Sequence, residues 1–209
     1  MYLRNGMGTA ATSGMIPNGL GGFGGKGYDF NPVKARELVT EYKKQTGDNS
    51  PKIQMSTSAS YLDIAEYLQR EWQKVGLNVE VDVNPPSTLT QSISTGKVSF
   101  FKASWIADYP DAENYLSLFY SKNFAPGGPN YTHFKNAEFD KLYEQSFFIT
   151  DDAKRHELYK KMDAMVMEEA PVIPLFYDKA SRFTGSNITG LGINPLNLLT
   201  LKRVKKIEK

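Results

Sequence analysis

Residues 52–83 leave this chain little choice of fold. Ile53 and Met55 alternate with polar neighbours, and further on Val79, Val81 and Val83 alternate with Glu80 and Asp82. A period of two marks half-buried strands. Between them Tyr61, Ile64, Ala65, Leu68, Trp72 and Val75 recur at helical spacing as one apolar stripe. Ser60 with Asp63 predicts a capping box at the start of that helix, and Gly76 predicts its left-handed stop. Strand, helix and strand of this length form a right-handed parallel crossover. The chain is therefore expected to be α/β.

The flanking sequence extends this pattern. Asn31 as cap and Pro32 at the first turn open a helix with Ala35, Leu38, Val39 and Tyr42 on one face, ended by Gly47. A short helix is expected over Thr88 to Ser94. Val98 to Trp105 carries apolar residues on both faces, which predicts a third, central strand covered on both sides. Helices follow over Ala112 to Phe119 and Ala137 to Phe148, the latter with Phe139, Leu142, Tyr143 and Phe147 as its stripe. Another begins near Thr150, buries Leu158, Met162, Met165 and Val166, and stops at Pro171. Short strands are expected at Val172 to Tyr177 and Leu198 to Val204, before a basic, solvated end over Lys202 to Lys209. Residues 4–28, rich in Gly, Ser, Thr and Asn, read as looped rather than packed.

Composition removes several functions. The 209 residues include no cysteine, so disulfides, zinc thiolates and thiol nucleophiles are out. A formal net charge of +2 gives no field that calls for nucleic acid or an anionic membrane. No apolar run is long enough to span a bilayer, and no basic-then-apolar signal segment opens the chain. Gly19-Leu20-Gly21-Gly22-Phe23-Gly24 matches G-x-G-x-x-G in letters only. No strand precedes it and the helix starts later, so a dinucleotide role fails. The two histidines, His133 and His156, have no second ligand at helical spacing, and His156 reads as a surface residue. No metal, no cofactor and no serine triad is expected.

What remains is SWIADYPDAENYL, Ser104 to Leu116. Its acids Asp108, Asp111 and Glu113 lie close enough to suggest a carboxylate hydrolase using Asp108 with Asp111 or Glu113. For Asp111, capping the next helix is the preferred reading. Asp108 stands before the proline turn, beyond the expected strand, where open α/β sheets bind ligands. Trp105 and Tyr109 flank it. A carboxylate beside aromatic faces suits an ammonium group. The same residues equally fit a core tryptophan and an acid that bonds its own turn amides.

This segment resembles the tryptophan-x-x-aspartate-tyrosine-proline-aspartate motif of the extracytoplasmic solute-binding proteins of peptide and nickel ABC importers, the oligopeptide- and dipeptide-binding family. GMIPNGLGGFGGKGYDFNPVKARELVTEY and EEAPVIPLFY resemble further family segments, in the family's order. Ala112 departs from the pattern, where proline is common.

The resemblance implies one lobe of a periplasmic-binding-protein-like type II fold, a mixed sheet flanked by helices. Residues 1–209 would form a single α/β lobe: a loop-rich lead-in at 1–30, a core at 31–190 and a tail at 191–209 returning toward an amino-terminal lobe outside this sequence. It implies capture of short peptides, with Asp108 holding the α-ammonium and Trp105 and Tyr109 shaping the pocket, and it implies no catalysis. Nickel complexes, haem and sugars are the family's other cargoes. The implied partner is the membrane permease of an importer. The implied location is the periplasm or the outer face of a bacterial membrane, with a lipid anchor in many members.

Overall fold

The strand–helix–strand unit forms as its periodicity predicts. In the computed structural model, which describes residues 5–194 and 198–207, two strands, β2 (Lys52–Thr57) and β3 (Asn78–Val83), pair in parallel from Lys52↔Asn78 to Thr57↔Val83. The helix between them, α2 (Leu62–Gln73), sets Leu68 and Trp72 against a buried cluster of Met55, Ala65 and Val79. Met55 and Val79, taken out of water, contribute about 1.5–3 kcal/mol each. Gly76, at φ 96°, turns the chain from helix to strand. The expected capping box is absent. A 3-10 turn over Ala59–Tyr61 precedes α2, and the first-turn amide that is met is Ile64 N–H, which donates to Asp63 Oδ1 at 2.8 Å.

The chain divides into two compact units. One comprises Tyr28–Ser104 and Leu118–Asn136; the other comprises Met1–Gly27, Trp105–Ser117 and Ala137–Lys209.

The first of these contains α1 (Pro32–Thr46), β2, α2, β3 and α3 (Pro86–Ser94). Asn31 caps α1 through Lys34 N–H at 2.9 Å and Gly47 ends it at φ 74°, as expected. Its apolar stripe is not a core face, however. No residue of α1 is buried, and Leu38 and Tyr42 remain 52 % and 48 % exposed. The third strand is also reduced. Ser56 N–H donates to Phe100 O and Lys102 N–H to Ser56 O, one parallel bridge at Phe101, after which pairing stops. The 118–136 stretch is organised by fully buried Asn130, which donates to Tyr120 O and Phe134 O and accepts from Thr132 Oγ1 and Phe134 N–H.

The second unit holds α4 (Glu113–Leu116), α5 (Ala137–Ser146), α6 (Asp152–Glu169) and four two-residue strands. α5 and α4 both pack on α6. Phe139, Tyr159, Met162 and Val166 are buried there. The predicted stripe of α6 is thus offset: Tyr159, Asp163 and Met167 are buried beside Met162 and Val166, and Leu158 and Met165 are half-buried. α5 stops two residues early, leaving Phe147 and Phe148 exposed. The strand expected at Val172 to Tyr177 shrinks to β4 (Phe176–Tyr177), antiparallel to β1 (Thr9–Ala10). The tail pairs through β5 (Ile188–Thr189) and β6 (Lys205–Lys206), not through a strand over 198–204. Residues 195–197 of that tail, and 208–209 of the basic end, lie outside the described residues.

The glycine-rich segment is packed, contrary to the expectation of a loose loop. Ile16 is fully buried, Phe23 meets the Tyr177 ring edge-on at 6.1 Å, and Tyr177 OH donates to Gly14 O at 2.7 Å. Asp163, 1 % exposed, accepts from Met15 N–H at 2.8 Å through Oδ1, and its buried Oδ2 has no partner. Burial pushes this carboxyl up to about 6, against the opposing pull of the Met15 and Ile16 amides. His156 is half-buried under Gly21 rather than on the surface.

Candidate functional site

Trp105 to Leu116 lie in one unit of the chain and are arranged by a single tight turn. Pro110 centres a three-residue turn closed by Asp111 N–H donating to Tyr109 O at 2.8 Å. Proline's fixed φ suits such a turn. The chain then enters α4, one turn of helix whose Glu113, Asn114 and Leu116 are all buried. Asp111 accepts from Glu113 N–H at 2.9 Å, so it does satisfy a first-turn amide, although Ala112 occupies the cap position. Asp111 also pairs with Arg155 at 3.2 Å. Burial raises the Tyr159 hydroxyl well above its ordinary range, and its hydrogen bond to Asp111 adds to that.

Asp108 and Trp105 come together through a residue that sequence reasoning passed over. Asn114 Oδ1 accepts from Trp105 Nε1 at 2.8 Å and from Asp108 N–H at 3.2 Å. Its Nδ2 lies 3.5 Å from Asp108 Oδ2. The Asp108 carboxylate itself is exposed, and no ion pair to it occurs among the described residues. Trp105 is half-buried. The strand-end argument for Asp108 lapses, because the bridge at Phe101 ends well before it.

Tyr109 is held differently. Its hydroxyl donates to Glu113 Oε2, and Tyr143 OH donates to Glu113 Oε1. Burial and this bond to Glu113 push the Tyr109 hydroxyl up to about 12, so it stays a protonated donor at neutral pH. The Tyr109 ring is nonetheless 44 % exposed. The pair of acids that a hydrolase would need is not free. Glu113 is buried with an oxygen on each of two phenols, and Asp111 is engaged by Arg155. No group of three or more potential metal ligands occurs among the described residues, and no helix there is long and apolar enough to cross a membrane.

The residues missed carried weak signals. Asn114 is a poor helix former in a single helical turn, only a weak mark of a hydrogen-bonding task. Nothing local marks Glu113 as the acceptor for Tyr143, which is 30 residues away.

Residues 2–127 match the family model of the bacterial extracellular solute-binding proteins, family 5 Middle. The chain is similar to the oligopeptide-binding protein OppA of Bacillus subtilis, 32% identical over 169 residues that cover 77% of this chain and 30% of that protein. It is also similar to di/tripeptide-binding protein 1 of Pseudomonas aeruginosa, 26% identical over 173 residues, 81% of this chain and 32% of that one. The chain spans about a third of the length of these curated relatives. In fold it matches the ABC transporter-associated periplasmic binding protein DppA from Helicobacter pylori, solved with the peptide STSA. The TM-score is 0.79 at 21% identity, covering 99% of this chain and 41% of that one. The expected α/β, periplasmic-binding-protein-like fold is borne out.

Proposed function

Because this chain belongs to the bacterial extracellular solute-binding proteins of family 5, we propose that it is the carboxyl-terminal lobe of an importer's substrate-binding protein, and that it captures short peptides by their amino terminus. Residues 1–209 act as one α/β lobe of a two-lobed clamp. The protein works outside the cytoplasmic membrane, periplasmic or lipid-anchored. It delivers its cargo to a membrane permease and performs no chemistry on it.

One observation carries the reading: Asp108 stands exposed, joined to Trp105 through Asn114, with no cation of the chain paired to it among the described residues. A peptide ammonium supplies the missing charge. The tryptophan face excludes water and adds cation–π attraction, and the peptide backbone is held as an added strand, a mode that tolerates varied side chains. The relatives named for oligopeptides and di/tripeptides support the same class of cargo.

Calorimetry on the full-length protein tests this with trialanine and with N-acetyl-trialanine, whose amine is blocked. Asp108→Asn should weaken trialanine by about 2–5 kcal/mol. Acetylation should weaken the wild type similarly and the variant hardly at all, since the two changes remove one interaction. Additive losses would assign the amine to another residue. Turnover of the peptide during the titration would overthrow the binding-protein reading.

A further inference from the structure

We propose that Asn114 is the positioning residue of this site: its one side-chain oxygen sets both the Trp105 ring and the backbone at Asp108 for the ligand. The inference rests on the reading of Asp108 given above.

Asn114 is 5 % exposed, on a turn whose other inward residues include Ala112 and Leu116, both fully buried. A buried amide costs free energy unless its hydrogen bonds are met, so stability alone would favour an apolar side chain here. The amide oxygen is instead fully used. A carboxamide oxygen has two acceptor sites. One takes Trp105 Nε1–H at 2.8 Å and the other takes Asp108 N–H at 3.2 Å. These two donors fix which end of the amide is oxygen, and the NH2 end then faces Asp108 Oδ2 at 3.5 Å. That last contact is long. It steers the carboxylate without occupying it, and Asp108 keeps its exposure.

Asn114 therefore ties two residues, nine and six positions earlier in the chain, to one atom. The indole cannot rotate without giving up its bond, and the backbone at Asp108 cannot loosen without doing the same. A ligand meeting this arrangement finds the aromatic wall and the carboxylate already ordered, and does not bear the entropy cost of ordering them. Glu113, next in the chain, holds Tyr109 in the same manner but through a separate carboxylate. Asn114 also reaches the Tyr109 hydroxyl, so the two halves of the site are joined through it.

The test uses the full-length protein, trialanine as ligand, and the indole N–H proton resonance of Trp105, identified by its loss in Trp105→Phe. Asn114→Leu should move that resonance to the position of an unbonded indole and weaken trialanine roughly tenfold or more. Asn114→Asp keeps an oxygen acceptor for the indole and should restore the resonance, a rescue that a merely space-filling role does not give; it also sets a second carboxylate against Asp108 Oδ2, so this arm is read by the resonance and not by affinity. Should Asn114→Leu fail to fold, Asn114→Thr replaces it, because a hydroxyl is too short to serve both donors. Unchanged trialanine affinity in either variant overturns the proposal, as does a failure of Asn114→Asp to restore the resonance. If Asp108→Asn weakens binding while Asn114→Leu does not, this inference alone falls. If Asp108→Asn is silent, the amine-binding reading falls and takes this one with it.

Discussion

The crossover at 52–83 and the α4–α6 region solve the problem of burial in opposite ways. In the crossover, Met55, Ala65 and Val79 form a small apolar cluster, and the polar side chains buried on β2, Ser56 and Thr57, are uncharged hydroxyls. Around α4 and α6, three side chains that ordinarily seek water are buried: Glu113, Asn114 and Asp163. The first arrangement is held by area and is indifferent to partner identity. The second is held by specific bonds and is costly when one is missing. The aromatic and acidic residues of the candidate site are set by the second.

The contrast breaks most sharply at Met55. Met55→Ala should cost about 2–5 kcal/mol in urea unfolding, with no dependence on pH. A cost below 1 kcal/mol would mean that the cluster is not the core of its unit. Asp163 should behave in the reverse fashion. Its carboxyl is raised to about 6, so the folded chain binds the proton more tightly than the unfolded one. The stability this confers is complete below the ordinary aspartate range and is lost as pH rises through about 6. Relative to Asp163→Asn, the wild type should lose about 2–3 kcal/mol between pH 4 and pH 8. Parallel pH–stability curves for the two proteins would show that Asp163 is no more perturbed than a surface acid. Smallest is Tyr143→Phe, which removes one of the two phenols on Glu113. It should cost about 1–2 kcal/mol and leave trialanine affinity unchanged. A large loss of affinity would extend the proposed site beyond Tyr109.

The same contrast explains what could be read from the chain. Period-two and helical spacing identified β2, α2 and β3, and Asn31 and Gly47 bounded α1 correctly, because these signals are local. Periodicity misled where burial depends on distant sequence. Leu38 and Tyr42 have the spacing of a core face but lie exposed, and residues 98–105 have the composition of a central strand but keep only one bridge. On α6, counting only apolar residues placed the buried face off register, because Asp163 belongs to that face through Met15, 148 residues away. At the site, Asp108, Trp105 and Tyr109 were legible as types of residue. Their organisers, Asn114 and Glu113, were not, since a polar residue in a helical turn looks the same whether it meets solvent or two donors.

The packed glycine segment has a consequence for how the chain can be altered. A Cβ at Gly14 would collide with the Asp163 carboxyl, and one at Gly21 with the His156 ring. A stretch that reads like a flexible spacer is in fact a strap fitted against α6, with no room for a side chain at Gly14 or Gly21. Spacers tolerate tags, foreign epitopes and circular-permutation breaks; this strap does not. Splicing between residues 14 and 25 would lift it from Ile16 onward and uncover the buried face of α6. The exposed surface of α1, with no buried residue of its own, is the place in this chain where a graft has room.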